Sequence, residues 1–216
     1  MSDYYVITCA TLIDEMQPFL PPDTPTRVME FGWHRHPEQM VAALQEEIDR
    51  VPPGPTIILG YGLCGRGIHS LCAPHNRLVI PRVHDCIALF LGSQEAYQAQ
   101  FRQAPGTYYL TKGWIESGDT PYTTYQRITE KYGQEKALRL AKLAIANYTR
   151  LALITTTNWD ADRYRDFAKM VANVFDLRYE EIPGSPELVR QLVQGPWDER
   201  FVVLEPGESV DEMAFY

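Results

Sequence analysis

The chain has 216 residues, a net charge of −8 and a pI near 5.1, with 45% hydrophobic and 22% charged residues. Such a composition is typical of a globular protein with one large domain or two small lobes, and it excludes a disordered chain. The acidic balance and the lack of a Lys/Arg cluster argue against a nucleic-acid-binding protein, which needs a basic surface.

The opening residues, MSDYYVITCATLI, lack the basic start of a signal peptide, and no apolar run reaches membrane-spanning length. We therefore expect a soluble, cytoplasmic protein that binds neither nucleic acid nor membrane. In a reducing compartment its four cysteines are buried thiols, metal ligands or reactive groups rather than a disulfide framework.

Strands and helices alternate in the first half of the chain. Strands are predicted over DYYVITC, which ends at Cys9, over RVMEFG, and over the apolar runs TIILG and RLVIPRV. A helix opened by Pro37 is predicted over EQMVAALQEEIDRV, because its apolar residues recur with helical spacing. A further helix is predicted over IALFLGSQEAYQAQFRQA.

The same alternation continues in the second half. GTYYLTKGWIE is predicted as a strand, followed by helices over YQRITEKYG and QEKALRLAKLAIANYT with Gly133 between them. Strands are then predicted over RLALITT, LRYEEI and RFVVLEPG. The helices between them, DADRYRDFAKMVANVF and SPELVRQLVQG, are expected to be capped by Asp160 and Ser185.

This order of elements predicts an α/β fold, with a mainly parallel, Rossmann-like sheet and helices on both faces. A change in composition near Pro105 suggests two lobes. Residues 1–105 contain every cysteine and histidine, and residues 106–216 would form a second α/β lobe. One continuous domain over 1–216 remains the alternative.

Three predicted strands end beside cysteines. Cys9 ends the first strand, Cys64 follows TIILG, and Cys86 follows RLVIPRV. Ligands of open parallel sheets bind beyond the carboxyl ends of the strands. If these strands are parallel neighbours, the three thiols meet at one rim of the sheet.

Three thiolates can hold an iron–sulfur cluster with one open iron, or zinc with His84 or a water as fourth ligand. His34, which follows the second predicted strand, is a candidate extra ligand. The alternative is that the three cysteines pack as small hydrophobic residues. Cys72 is expected in the core rather than in the site, since no Cys-x-x-Cys pair is present.

The segment GYGLCGRG around Cys64 can also act through its backbone, because Gly62 and Gly65 let N–H groups approach an anion or a metal-bound ligand. Arg66 and Arg82 are candidates to neutralise a carboxylate or phosphate. The segment lacks the Lys-Ser/Thr ending of a P-loop and does not match GxGxxG, so nucleotide binding is not favoured.

The tripeptide HDC contains the candidate catalytic residues His84 and Asp85. An imidazole beside a thiolate forms a nucleophile pair, with His84 as the base for Cys86 or Cys64. On an extended strand His84 and Cys86 would share a face. If a helix begins here instead, Cys86 lies at its N-terminus, where its pKa is lowered.

The segments TCATL, GYGLCGRG, PRVHDCIALFLGS, GTYYLTKGW and EKYGQEKA resemble domain-of-unknown-function family 1638 of bacteria and archaea. The resemblance covers about residues 3–204. It implies an association with corrinoid-dependent methyl transfer, and hence with metal cofactors or methyl carriers. The family residues carried over are Cys9, Cys64, His84, Asp85 and Cys86.

The leading hypothesis is thus a protein that binds an iron–sulfur cluster or zinc through Cys9, Cys64 and Cys86. Its partners would be a small-molecule or metal-cofactor ligand and a protein of methyl transfer. The alternatives are a non-catalytic binding module or metallochaperone, and a metal-free enzyme with a cysteine nucleophile.

Overall fold

The structure is a computed structural model that describes the backbone of residues 3–216 and all their side chains except those of residues 34 and 35. Its strands are β1 (Tyr4–Cys9), β2 (Thr26–Met29), β3 (Thr56–Gly60), β4 (Leu78–Pro81), β5 (Thr107–Leu110), β6 (Arg150–Thr155), β7 (Arg178–Pro183) and β8 (Phe201–Leu204).

The helices are α1 (Ile13–Met16), α2 (Pro37–Asp49), α3 (Ile87–Leu91), α4 (Gln94–Gln103), α5 (Lys112–Ser117), α6 (Pro121–Tyr132), α7 (Gln134–Ala144), α8 (Asp162–Val174) and α9 (Glu187–Gln194). Short 3₁₀ segments lie at Gln17–Phe19, Phe31–Arg35, Cys64–Arg66 and Glu212–Phe215. Across residues 3–216, no helix combines the length and apolarity that a bilayer crossing requires.

The chain forms two compact units. The first comprises Met1–Ala96 and Ser185–Tyr216, and the second comprises Tyr97–Gly184. The sequence led us to expect a boundary between residues 105 and 106. The structure passes into the second unit earlier, between Ala96 and Tyr97, and then returns to the first unit for the last segment of the chain.

The first unit is built on a five-stranded sheet in the order β2-β1-β3-β4-β8. The first four strands are parallel, and β8 pairs antiparallel with β4. β3 and β4 are almost wholly buried, which is why they read as continuous apolar runs rather than alternating ones. The predicted α/β class with a mainly parallel sheet is confirmed.

The register of β1 against β3 positions the residues that follow both strands. Thr8 lies opposite Gly60, and a Cβ on Gly60 would lie 2.2 Å from the Thr8 Oγ1 atom, so the two strands need glycine at this position. Cys9 and Tyr61 come next on the two strands. They therefore reach the carboxyl edge of the sheet at the same level.

The second unit contains a parallel sheet in the order β5-β6-β7. Arg150 is its most deeply buried charged side chain among the described residues, at 1% exposure. Its guanidinium donates to the Thr107 hydroxyl at 2.7 Å, to Glu180 at 2.7 Å and to the Gln100 amide oxygen at 3.0 Å. Each of the three guanidinium nitrogen atoms therefore donates a hydrogen bond, which offsets the cost of burying the charge.

Some predicted element boundaries were wrong. The strand predicted over GTYYLTKGWIE ends at Leu110, because the Thr111 hydroxyl accepts a hydrogen bond from the Trp114 N–H and starts α5. Asp160 lies one residue before the N-cap of α8, yet its carboxylate still accepts from the Asp162 N–H at 3.0 Å. Gly133 ends α6, as predicted.

Candidate functional site

The candidate site lies at the carboxyl edge of the five-stranded sheet in the first unit. Cys9 ends β1, Cys64 lies in the loop after β3, and Cys86 lies in the loop after β4. Because β1, β3 and β4 are parallel neighbours, these three loops leave the sheet at the same edge. Their sulfur atoms interact electrostatically, since the charge of Cys9 raises the pKa of both Cys64 and Cys86.

All three thiols are buried, with exposed fractions of 2%, 9% and 6% for Cys9, Cys64 and Cys86. Burial is the largest cause that raises each pKa, and it raises that of Cys64 to about 12. For Cys64 and Cys86 the charges of Asp85 and of the neighbouring cysteines raise the pKa further. The site therefore holds neutral thiols at neutral pH unless a cation compensates for their charge.

Tyr61 lies among the three cysteines, and the sequence analysis missed it. Its side chain is 1% exposed, and its hydroxyl interacts with the Cys9 thiol. Burial, and then the charges of Cys9 and Cys64, raise its pKa far above the ordinary range of tyrosine. The signal that the sequence does contain is its position directly after the apolar run TIILG, whereas its level with Cys9 depends on the register of β1 against β3.

Hydrogen-bond donors surround two of the sulfur atoms. The Thr11 hydroxyl donates to the Cys9 Sγ atom at 3.3 Å. The backbone N–H groups of Gly62 and Cys86 donate to the Cys64 sulfur and lower its pKa, which partly opposes the effect of burial. Donors of this kind stabilise a thiolate, and around metal-bound sulfur they tune the metal.

The loop that carries Cys64 has a rare backbone conformation. Three consecutive residues have positive φ angles, at 47° for Cys64, 64° for Gly65 and 77° for Arg66. A non-glycine residue in this region costs about 1–2 kcal/mol. Such conformations persist where the surrounding structure enforces them, and they concentrate at functional sites.

Hydrogen bonds to the neighbouring loop enforce this conformation. The N–H groups of Leu63 and Cys64 donate to the carbonyl oxygens of Val83 and His84, both at 2.9 Å. The two backbones approach so closely that a Cβ on Gly62 would lie 2.9 Å from the Val83 carbonyl oxygen. Gly62 is therefore required for the contact between the loops that follow β3 and β4.

The HDC segment splits into two environments. Cys86 is buried at the start of α3, and the Asp85 carboxylate accepts a hydrogen bond from the Ile87 N–H at 2.9 Å. His84 is exposed, and its Nε2 atom lies 3.1 Å from the Phe215 carbonyl oxygen. β4 has already ended at Pro81, so His84 and Cys86 do not share a strand face. Within this segment it is the Asp85 charge that raises the pKa of Cys64 and Cys86, in addition to the effect of burial.

The other predicted site residues lie around the thiols rather than among them. Arg66 is exposed, and its guanidinium forms an ion pair with Glu212 at 2.7 Å. Arg82 is exposed, and a Cβ on Gly65 would meet nothing within 4 Å. The side chain of His34, the predicted extra ligand, lies outside the described residues.

Cys72 and the remaining histidines of this region lie outside the thiol cluster. The Gln45 side-chain amide donates to the Cys72 carbonyl oxygen and accepts from the Cys72 N–H. Cys72 also forms an isolated antiparallel β-bridge with Ser209. His36 and His69 line an open cleft of about 720 Å³ beside the first turn of α2.

Within the part of the chain whose side chains are described, no group of three or more His, Cys, Asp or Glu side chains is arranged as a metal site. The chemistry of the donor set nevertheless fits a soft metal. Three buried sulfur atoms, with backbone and hydroxyl donors around them, are the ligand type that iron–sulfur clusters and structural zinc use. Cys9, Cys64 and Cys86 are thus the residues that would hold such a group.

Comparison with known proteins identifies a family but no activity. The model of the family described as "Protein of unknown function (DUF1638)" matches residues 28–193, which is well over half of the chain. The matched segment contains Cys64 and Cys86, whereas Cys9 precedes it. No curated protein and no solved structure matches the chain. The resemblance noted from the sequence is confirmed.

Proposed function

We propose that this chain, which belongs to the DUF1638 family, binds an iron–sulfur cluster through Cys9, Cys64 and Cys86. The observation that carries the proposal is that three buried cysteines, whose charges act on one another, follow parallel neighbouring strands at the carboxyl edge of one sheet. The edge of the sheet beyond the strands is where α/β proteins bind their ligands.

The electrostatics of the site support a bound cation. Each thiolate formed here is penalised by burial, and those of Cys64 and Cys86 also by the charge of Asp85. Packing alone does not need three cysteines, a buried tyrosine and a carboxylate in one cluster, since apolar residues would fill the space without these costs. A soft metal offsets the penalty by binding the thiolates directly.

The ligand set favours a cluster over zinc. The imidazole nearest in sequence to the cysteines, that of His84, is exposed and contacts Phe215 and Tyr216. Zinc usually takes four protein ligands in a structural site, whereas three cysteines suffice for a cluster with one open iron. Zinc held by the same thiols is the alternative that the experiment below separates.

A cluster with an open iron would supply a position for a substrate or a route for an electron. The Tyr61 hydroxyl holds a proton beside Cys9, and the burial of the three cysteines limits the contact of their sulfur atoms with water. The association of the family resemblance with corrinoid-dependent methyl transfer makes a methyl-transfer protein the partner we propose. A metal-free nucleophile is less well supported, because burial raises the pKa of Cys64 and Cys86.

Purification without oxygen, followed by elemental and sulfide analysis and visible spectroscopy, tests the proposal. We expect iron and acid-labile sulfide in equal amounts, and a large loss of both in Cys9→Ser, Cys64→Ser and Cys86→Ser. Cys72→Ser is the matched control and should keep its iron. Zinc found without iron would favour the zinc alternative over the cluster. The absence of any metal, even after reconstitution with ferrous iron and sulfide, would refute the proposal.

A further inference from the structure

The last segment of the chain, Val210–Tyr216, lies along the loop that carries Cys64. Two backbone hydrogen bonds attach it at Val210, where the Ser70 N–H donates to the Val210 carbonyl at 3.1 Å and the Val210 N–H donates to the Leu71 carbonyl at 2.8 Å. We call this segment the C-terminal cover.

One side chain anchors the far end of the cover. Phe215 is 4% exposed and packs in the same hydrophobic cluster as Cys9, Tyr61 and Cys64. Met213 and Tyr216 are open to solvent, at 68% and 79% exposure, whereas Ala214 packs against the cluster. The cover therefore contacts the cluster that contains Cys64 through Phe215, with Val210 and Ala214 beside it.

Two sets of side-chain contacts connect the cover to the loops of the site. The Glu212 carboxylate pairs with Arg66, two residues after Cys64. The Phe215 carbonyl oxygen lies 3.1 Å from the His84 Nε2 atom, and the Tyr216 ring contacts the His84 ring edge-on with 5.1 Å between centroids. The cover thus links the loop after β3 to the loop after β4 from outside.

We propose that the C-terminal cover is a removable lid over Cys64, and that it must lift before anything reaches the thiols. Cys64 is the most exposed of the three cysteines at 9%, so only a small part of the residue is accessible in the covered state. The cover is held by the buried side chains of Val210 and Phe215, by two backbone hydrogen bonds at Val210, and by one exposed ion pair and one imidazole contact, whereas the sheet beneath it is held by ladders of backbone hydrogen bonds. A short surface segment outside the sheet can open locally without unfolding the rest of a protein.

This inference rests on the proposed function only for the identity of what enters, because access to Cys64 is measurable without any metal. The test is the rate at which iodoacetamide alkylates each cysteine in metal-free, full-length protein, followed by peptide mass spectrometry. The variants are Phe215→Ala, Glu212→Arg, Arg66→Glu, and the charge swap that combines the last two. Glu205→Arg is the matched control, because it breaks an ion pair of equal length with Arg77 away from the cover.

We expect Phe215→Ala and Glu212→Arg to raise the alkylation rate of Cys64 by about tenfold or more, since the rate reports the open fraction. The charge swap should restore slow alkylation, and Glu205→Arg should leave the rate unchanged. An unchanged Cys64 rate in both single variants would overturn the proposal. So would an equal rise at all four cysteines, which would report general loosening.

The two proposals fail separately. If the protein binds no iron but the cover variants still expose Cys64, the lid stands and the cluster proposal falls. If iron binds and the cover variants load it no faster while Cys64 alkylation is also unchanged, the lid falls and the cluster proposal stands.

Discussion

Replacing Gly62 with alanine tests whether the contact between the two thiol-bearing loops holds the site together. The new Cβ would lie 2.9 Å from the Val83 carbonyl oxygen, 3.0 Å from the Asp85 carbonyl carbon and 3.0 Å from a Val83 methyl group. Two of these three atoms belong to backbone, which cannot rotate away. The loop after β3 must therefore move off the loop after β4.

The size of the effect follows from what this movement breaks. Overpacking against a rigid neighbour costs about 1–3 kcal/mol. The two hydrogen bonds between the loops, from Leu63 to Val83 and from Cys64 to His84, contribute about 1 kcal/mol each. If the loops separate, the overlap is relieved but the hydrogen bonds are lost, so the two costs do not simply add. We therefore expect Gly62→Ala to lower the free energy of unfolding by about 2–3 kcal/mol.

Urea unfolding followed by circular dichroism measures this change, and iron content measured in parallel reports the site. Gly32→Ala is the control, because a Cβ there meets nothing within 4 Å, and we expect it within about 0.5 kcal/mol of the parent protein. A Gly62→Ala protein that is as stable as this control and keeps its iron would refute the argument that the close approach of the two loops builds the site.

Three further outcomes are expected. Because burial raises the pKa of Cys64 to about 12, the rate at which iodoacetamide alkylates it should rise tenfold per pH unit from pH 7 to about 9.5, with no plateau. A plateau below pH 9 would instead indicate an activated thiolate. Arg150→Met should lower the free energy of unfolding by about 3 kcal/mol in a urea titration, because it removes a buried charge whose three nitrogen atoms all donate hydrogen bonds. The exposed Arg178 pairs with the same glutamate, and Arg178→Met should change the free energy of unfolding by no more than about 0.5 kcal/mol in the same titration. The hydrogen bond from Arg200 lowers the pKa of Asp198, so Asp198→Asn should be less stable than the parent protein at pH 7. The difference in melting temperature between the two proteins should shrink as the pH falls below about 4, where Asp198 begins to be protonated in the unfolded chain. A difference that stays constant at low pH would contradict this.

Much of the fold was predictable because the buried strands carry a strong local signal. TIILG and RLVIP contain almost no polar residue, and only a strand covered on both faces tolerates this over so short a length. The position of β8 had no such signal. RFVVLEPG reads as a strand, but nothing in it indicates that it pairs antiparallel with β4 and returns the chain to the first unit.

The candidate site shows the same division. The placement of Cys9, Cys64 and Cys86 at one edge of the sheet depended on one topological assumption, that their strands are parallel neighbours, and the structure shows this pairing. Side-chain direction did not follow. The environment of His84 depends on where β4 ends and on contacts with Phe215 and Tyr216, more than a hundred residues away, which local spacing does not indicate.

Tyr61 was missed for a related reason. An aromatic residue in a glycine-rich loop reads as ordinary packing, and only the register of β1 against β3 places its hydroxyl beside the Cys9 thiol. Register is set by pairing between distant segments, which a single sequence does not display.

The split of the first unit into two segments also determines the order in which a growing chain acquires its parts. Every cysteine has been synthesised by residue 86, and Tyr97–Gly184 forms a contiguous unit that can fold as soon as it is complete. β8 and the C-terminal cover are made after that unit. During translation there is therefore an interval in which all three thiols exist, β4 lacks its outer partner, and the segment that forms the cover has not yet been made.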